Sequence, residues 1–206
     1  MACSWTVLQE ILGRTVDLLL KDVTNKCLVC STSESRYVTL SCVWGGVQCL
    51  QATRSNLNAL QRPGALIAEF LALPLVIQDA LIFVSALQEQ YLWTDCLCIV
   101  QDDAEQKHRD INQMDVIYSH AVLTIVALSG LHANRNLLGI RPKPHRKQAD
   151  VTIGNLRCVI ARVPLQGILR RSPLEYRAWA MRERMLSKRC LYFSNQQVYL
   201  QCLKKV

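Results

Sequence analysis

The sequence lacks any long apolar run, although half of its residues are hydrophobic. Its uninterrupted apolar stretches fall short of the roughly 20 residues that cross a bilayer. The first ten residues also lack the basic region and apolar run of a secretory signal. These absences predict a cytoplasmic protein without a membrane span.

Common enzyme and metal signatures are also missing. The chain has no G-x-S-x-G, P-loop or G-x-G-x-x-G motif, so the familiar hydrolase, kinase and dehydrogenase classes receive no support. Its 4 histidines form no cluster, and Cys27-Leu-Val-Cys30 is the only C-x-x-C among 10 cysteines. We therefore expect buried thiols in a reducing compartment and predict no metal site.

Acidic residues are scarce in the C-terminal third. Residues 135–206 hold 16 Lys+Arg and 3 Asp+Glu, whereas residues 1–134 hold 8 and 13, so these parts carry +13 and −5. Such asymmetry can mark a nucleic-acid or phosphate-binding face. No nucleic-acid motif accompanies it, and about 141–150 is typical of an exposed basic linker. We favour a solvated surface that pairs with the acidic half, and we do not expect nucleic-acid binding.

Apolar segments alternate with helical patterns along the chain. Strands are predicted at 15–20, 26–30, 37–44, 91–100 and 121–128. Amphipathic helices beginning near Pro74 and Asp103 separate the last three strands, which indicates consecutive βαβ crossovers. The expected fold is α/β, with a largely parallel central sheet flanked by helices. Residues 151–163 and 189–202 would add a small antiparallel element, and we expect one domain over 1–206 with its core at about 15–203.

Two carboxylates interrupt apolar faces. Asp95 lies inside the predicted buried strand 91–100. Glu183 falls on the apolar stripe of a helix predicted from an N-cap at Ser172 to Leu186. A buried carboxylate requires a cation, hydrogen-bond donors or a raised pKa, so the two could work together as acid and base. The alternative is an ion pair that anchors the C-terminal helix, with Arg177, Arg182 or Arg184.

Polar and glycine residues follow three of the predicted strands. Ligands bind at the carboxyl ends of strands in open parallel sheets, where helix N-termini offer unpaired N–H groups. The residues predicted around such a pocket are Ser41, Trp44, Gly45, Gly46, Gln101, Asp102, Asp103, Ser129 and Gly130. The ordinary interpretation stays open, in which the glycines form turns, Asp103 caps a helix and Trp44 packs in the core.

Four sequence blocks occur in a fixed order. They are Tyr37-Val-Thr-Leu-Ser-Cys-Val-Trp-Gly45, Leu73-Pro-Leu-Val-Ile-Gln-Asp-Ala80, Tyr91 to Asp103, and Ala178-Trp-Ala-Met-Arg-Glu183. In content and order they resemble the fungal heterokaryon incompatibility (HET) domain, and the likeness covers nearly the whole chain from about Thr15. The departures from that family's pattern are Cys42 for tyrosine, Lys107 for tryptophan, Ala178 for glycine and Arg182 for glutamine.

The resemblance implies a signalling module of fungal nonself recognition that triggers cell death after incompatible hyphae fuse. Such a module would act by self-association or through protein partners, and it would require no cofactor. A distant likeness of the family to the TIR domain implies an alternative, a nucleotide pocket in which NAD is cleaved with Glu183 and Asp95 as catalytic residues. Arg182 beside Glu183 would stabilise the ionised carboxylate and alter any activity that needs it protonated.

Overall fold

The main sheet of this computed structural model has seven strands in the order β2-β1-β4-β3-β5-β8-β9. The description covers residues 10–142, 150–159, 163–176 and 178–203. The strands of this sheet are β1 (Asp17–Asp22), β2 (Cys27–Thr32), β3 (Tyr37–Ser41), β4 (Tyr91–Trp93), β5 (Leu123–Ala127), β8 (Arg189–Phe193) and β9 (Val198–Cys202). A separate two-stranded sheet consists of β6 (Asp150–Ile153) and β7 (Leu156–Val159).

The centre of the main sheet is parallel. Strand β3 pairs in parallel with β4 and β5, and β5 pairs in parallel with β8. Antiparallel pairs extend the sheet outwards, through β1 and β2 on one side and β9 on the other. The predicted α/β fold with a largely parallel centre and a small antiparallel element is therefore confirmed.

Eight α-helices lie wholly within the described residues. They are α1 (Leu57–Leu60), α2 (Ala65–Ala68), α3 (Leu75–Ala86), α4 (Asp95–Cys98), α5 (Ala104–Asn112), α6 (Met114–His120), α7 (Leu165–Leu169) and α8 (Ala178–Leu186). Two 3₁₀ helices, Phe70–Ala72 and Pro173–Tyr176, accompany them. None of these helices is long and apolar enough to cross a membrane.

The alternation of strand β3 explains the two-layer core. All five of its residues are buried, as expected for a central strand covered on both faces. Val38 and Leu40 join a cluster with the apolar face of α3. Tyr37 points to the opposite face and packs with Val116 of α6. Because side chains alternate along a strand, Ser41 lies on the same face as Tyr37.

The predicted strand 91–100 is wrong in its second half. Strand β4 ends at Trp93, and the backbone turns into the short helix α4. Local and long-range backbone bonds compete with a strand here: the Cys98 N–H donates to the Thr94 carbonyl at 2.9 Å, and the Ala52 N–H donates to the Cys96 carbonyl at 3.1 Å. Asp95 is thus the first residue of a helix and only partly buried, not the centre of a buried strand.

Other elements are shorter than predicted. Strands predicted at 37–44 and 121–128 end at Ser41 and Ala127. The helix predicted from Ser172 to Leu186 consists of a 3₁₀ helix followed by α8. Most of the predicted basic linker, at 143–149, lies outside the described residues, as does Arg177.

Candidate functional site

The end of β3 reaches the carboxylate of Glu183. Ser41, the last residue of β3, is buried, and its hydroxyl donates a hydrogen bond to Glu183 Oε2. Glu183 lies in the middle of α8 and is partly exposed. Two residues separated by 142 positions therefore meet where a central strand ends, which is where the sequence predicted a site.

A chain of hydroxyl groups fixes the backbone at Glu183. Thr39 and Thr124 are paired neighbours on β3 and β5, and their hydroxyl oxygens lie 2.7 Å apart. The Thr124 hydroxyl lies 2.6 Å from that of Ser187, which donates to the Glu183 carbonyl at 2.5 Å. Buried hydroxyls require such partners. The network thus ties α8 to the sheet next to Ser41.

Asp95 is held by the loop that follows β3. The indole Nε1 of Trp44 donates to Asp95 Oδ2 at 2.9 Å. The side-chain amide of Gln101 donates to the Asp95 carbonyl at 2.9 Å and to the Ile99 carbonyl at 3.1 Å, which closes the turn around α4. Three predicted site residues, Trp44, Asp95 and Gln101, are therefore in direct contact.

Tyr118 contacts one of the two carboxylates and feels the charge of both. It belongs to α6, is 2% exposed, and hydrogen-bonds to Glu183 through its hydroxyl, which also lies 3.4 Å from the Leu40 carbonyl. Burial raises the pKa of Tyr118 well above its usual value, and the negative charges of Glu183 and Asp95 raise it further. Tyr118 therefore stays protonated and provides a neutral donor within the field of both carboxylates.

Three predicted pocket residues have contacts that stabilise the fold. Asp102 accepts the backbone N–H of Arg54 at 2.8 Å. Gly45 has φ +61°, and a Cβ added there would lie 2.2 Å from the Leu131 carbonyl oxygen. Its close approach to the loop around Leu131 requires glycine. Asp103 caps α5 by accepting the Gln106 N–H at 3.0 Å, as predicted.

Two surface clefts flank this cluster. The first lies at the carboxyl ends of β3 and β5 and is lined by Cys42, Val43, Val76, Ala127, Ser129, Gly130, His132, Ala133, Arg135 and Asn136. The second lies between α6 and α8 and is lined by Ile111, Met114, Asp115, Tyr118, Arg182, Glu183 and Leu186. Both clefts are small, and each has room for about one water molecule.

The structure thus gathers some of the predicted residues and separates others. Ser41, Glu183 and Tyr118 form one hydrogen-bonded group, and Trp44, Asp95 and Gln101 form a second; we call the two groups together the strand-end cluster. Ser129 and Gly130 line the first cleft instead. Among the described residues, no three His, Cys, Asp or Glu side chains group in a way that could hold a metal ion.

Sequence reasoning missed the supporting hydroxyls. Thr39 and Ser41 stand two positions apart in an otherwise apolar strand, so they share one face. Ser187 follows Glu183 by four positions, which places both on one side of a helix. These spacings were visible in the sequence, whereas the role of Tyr118 was hidden by its position in an apolar helical stripe.

Comparison with known proteins gives one family. A family model described as "Heterokaryon incompatibility protein (HET)" matches residues 37–183, more than half of the 206-residue chain. The match begins at Tyr37, in the first sequence block, and ends at Glu183, in the last. No curated protein and no solved structure matches the chain.

Proposed function

Since the chain belongs to the heterokaryon incompatibility family, we propose that it is a signalling module of fungal nonself recognition that triggers programmed cell death. It acts in the cytoplasm by self-association or by binding protein partners. The observation that carries this proposal is the family match, which spans all four sequence blocks.

Strand β9 offers a surface for self-association. It is the terminal strand of the seven-stranded sheet, and on its outer side no described strand pairs with it. Val198 and Leu200 share one face of β9, and Leu200 is 63% exposed. The strand contains no charged residue between Val198 and Cys202, so two copies would pair without repulsion. Open edge strands with apolar side chains are typical sites of strand addition.

The test combines assembly and cell killing. Leu200→Lys places a charge on the open edge and should abolish both association, followed by sedimentation, and killing, followed by viability after induced expression in a filamentous fungus. The matched control is Leu71→Lys, because Leu71 is 87% exposed on a different surface. The control should retain both properties. Killing by a Leu200→Lys protein that sediments as a monomer would contradict the proposal.

NAD cleavage is a second candidate, and the strand-end cluster supports it. Two carboxylates lie at the carboxyl ends of parallel strands, together with a buried tyrosine. In this mechanism the Glu183 carboxylate would stabilise the positive charge that develops on the ribose as nicotinamide leaves. Asp95 would accept a proton from the attacking water. Both roles match those of paired carboxylates in hydrolases of glycosidic bonds.

The size of the clefts counts against this second candidate. A cleft with room for about one water molecule does not enclose a dinucleotide, so the enzymatic reaction would require opening between α6 and α8. We therefore place signalling by assembly first.

Nicotinamide release separates the two candidates. The wild-type protein is incubated with NAD at a concentration that permits assembly, beside Glu183→Gln. Glu89→Gln serves as the control, because Glu89 forms a surface ion pair with Arg36 outside the cluster. Release by wild type and Glu89→Gln but not by Glu183→Gln would establish the enzyme. Absence of release, together with killing by Glu183→Gln, would exclude chemistry at this residue.

A further inference from the structure

The small sheet of β6 and β7 lies outside the hydrophobic core. It is a hairpin with a two-residue turn, because Ile153 pairs with Leu156 on either side of Gly154 and Asn155. Gly154 has φ +61°, and a Cβ added there would meet no atom within 4 Å. None of the three hydrophobic clusters among the described residues contains a residue of this hairpin. Its turn therefore faces open solvent.

One face of the hairpin is apolar. Side chains alternate along a strand, and residues paired across two strands share a face. Val151, Ile153 and Leu156 therefore lie on the same face, and they are 57%, 65% and 71% exposed. Thr152 and its partner Arg157 lie on the opposite face. The hairpin is thus amphipathic, and its apolar face is open.

Such a face is unfavourable on an element of this size. A two-stranded hairpin alone is marginally stable in water and needs a surface to pack against. Exposed apolar patches with polar surroundings mark sites that bind proteins or membranes. The apolar face is therefore a candidate binding surface, and the charge near it indicates the kind of partner.

Positive charge flanks the hairpin in the sequence. Residues 141–162 hold 6 Lys+Arg and 1 Asp+Glu, so this segment carries +5. Lys147 and Arg162 each stand three positions from an end of the hairpin, and chain connectivity keeps their charges near it. A second copy bound to this face would bring the same positive charge against the first, and repulsion disfavours that arrangement. The complementary partner is negatively charged.

An anionic bilayer fits both the charge and the apolar face. The phosphates of a nucleic acid would neutralise the charge, but they offer no apolar surface to the three aliphatic side chains. A stable protein–protein interface takes about 20–30 residues on each side, more than the hairpin Asp150–Val159 contains. A bilayer sets no such minimum, because apolar burial and attraction to anionic headgroups add together.

We propose that the hairpin of β6 and β7 binds the surface of membranes that contain anionic phospholipids. Val151, Ile153 and Leu156 enter the boundary between headgroups and acyl chains, and the basic residues of 141–162 are attracted to the lipid phosphates. The hairpin belongs to a different sheet from β9 and contains no residue of the strand-end cluster. This inference therefore does not depend on which proposed function is correct.

Vesicle sedimentation with the whole chain is the first test. Vesicles of phosphatidylcholine with a third phosphatidylserine should bind the wild-type protein. Vesicles of phosphatidylcholine alone should bind it at least about tenfold more weakly, because they lack the negative surface charge. High salt should weaken binding to the anionic vesicles, since it screens the charges. Equal binding to both kinds of vesicle, or binding to neither, would overturn the proposal.

Two variants of the hairpin separate apolar insertion from charge. Leu156→Asp and Thr152→Asp each add one negative charge, the first on the apolar face and the second on the opposite face. Leu156→Asp should bind anionic vesicles at least about tenfold more weakly than Thr152→Asp, because the bilayer removes only residue 156 from water. Both positions are exposed, so both variants should unfold at the wild-type temperature. Equal affinities would show that charge alone binds the membrane and would overturn the proposal.

Two other results would assign the apolar face to a different occupant and would also overturn the proposal. In the first, Leu156→Asp abolishes self-association in sedimentation without vesicles, which would assign the face to a second copy. In the second, the wild type binds soluble polyglutamate as tightly as anionic vesicles, and Leu156→Asp weakens both equally, which would assign it to an acidic protein. The variant Leu200→Lys, which alters β9, should keep its binding to anionic vesicles.

Discussion

Asp79 and the strand-end carboxylates differ in burial and in the hydrogen bonds described for them. Asp79 of α3 is 0% exposed, accepts Nε of Arg141 at 2.5 Å, and accepts the backbone N–H of Leu137 at 2.8 Å. Arg141 also donates to the Gln78 side-chain carbonyl at 2.8 Å. A cation and a backbone donor together fix this carboxylate, which anchors the loop from 137 to 141 on α3.

The strand-end carboxylates are bound by neutral donors and remain partly exposed. Glu183 accepts a hydroxyl from Ser41, and Asp95 accepts the indole N–H of Trp44. Yet Asp79, Asp95 and Glu183 all belong to the family's sequence blocks. Membership of a block therefore does not separate a residue that stabilises the fold from a candidate site residue. The burial and hydrogen bonds of each residue provide that distinction.

The largest effect is expected from Asp79→Asn. The amide would direct a donor towards either the Arg141 guanidinium or the Leu137 N–H, so a buried donor loses its acceptor. The expected decrease in the free energy of unfolding is about 3 kcal/mol, measured by urea denaturation. The matched control is Glu183→Gln, which keeps an acceptor for Ser41 and should cost less than about 1 kcal/mol. Equal decreases in the free energy of unfolding would show that Asp79 and Glu183 stabilise the fold to the same degree.

Gly45 and its neighbour test whether the strand end depends on backbone contact. Gly45 and Gly46 both have positive φ, at +61° and +72°, but only Gly45 would place a Cβ against another segment, 2.2 Å from the Leu131 carbonyl. Both alanine variants bear similar backbone strain. The clash should make Gly45→Ala less stable than Gly46→Ala by about 2 kcal/mol. Equal thermal stabilities would show that the loop at Leu131 moves aside without cost.

The sequence predicted the sheet better than it predicted the site. The alternating strand and helix patterns correctly indicated the parallel centre, because apolar periodicity reports which residues face a core. The same reasoning extended β4 to residue 100, although the chain turns at Thr94. An apolar run does not distinguish a buried strand from a short buried helix, and here the deciding contacts come from Ala52, more than 40 residues earlier.

The site could be predicted only in part for a related reason. Ser41, Trp44 and Gln101 were expected around one pocket because strand ends gather at one edge of a parallel sheet. That rule does not say which side chain hydrogen-bonds to which group. It could therefore not show that Ser41 binds Glu183 or that Asp102 binds the backbone of Arg54. Tyr118 was missed because it sits on an apolar helix face, and only its long-range partners reveal its role.

Asp110 extends the comparison to a carboxylate without donors. It lies in α5 and is partly buried, and no described donor binds its side chain. Burial raises the pKa of Asp110 to about 6, with Arg109 opposing and Asp103 assisting the increase. The donors that bind the Asp79 carboxylate have no described counterpart at Asp110.

Asp110→Asn should therefore stabilise the protein, and only above the pH at which Asp110 ionises. Between the ordinary value of 3.8 and about 6, the folded state binds more protons than the unfolded state, so the stability of the wild type falls as the pH rises through this window. The amide does not titrate and avoids that loss. Because water screens a half-buried carboxylate, the expected gain at pH 7.5 is about 1 kcal/mol, whereas at pH 3.5 the two proteins should unfold at the same temperature. Thermal unfolding at both pH values measures the difference. A variant that is less stable at pH 7.5 would show that the Asp110 carboxylate is stabilised by donors, as Asp79 is.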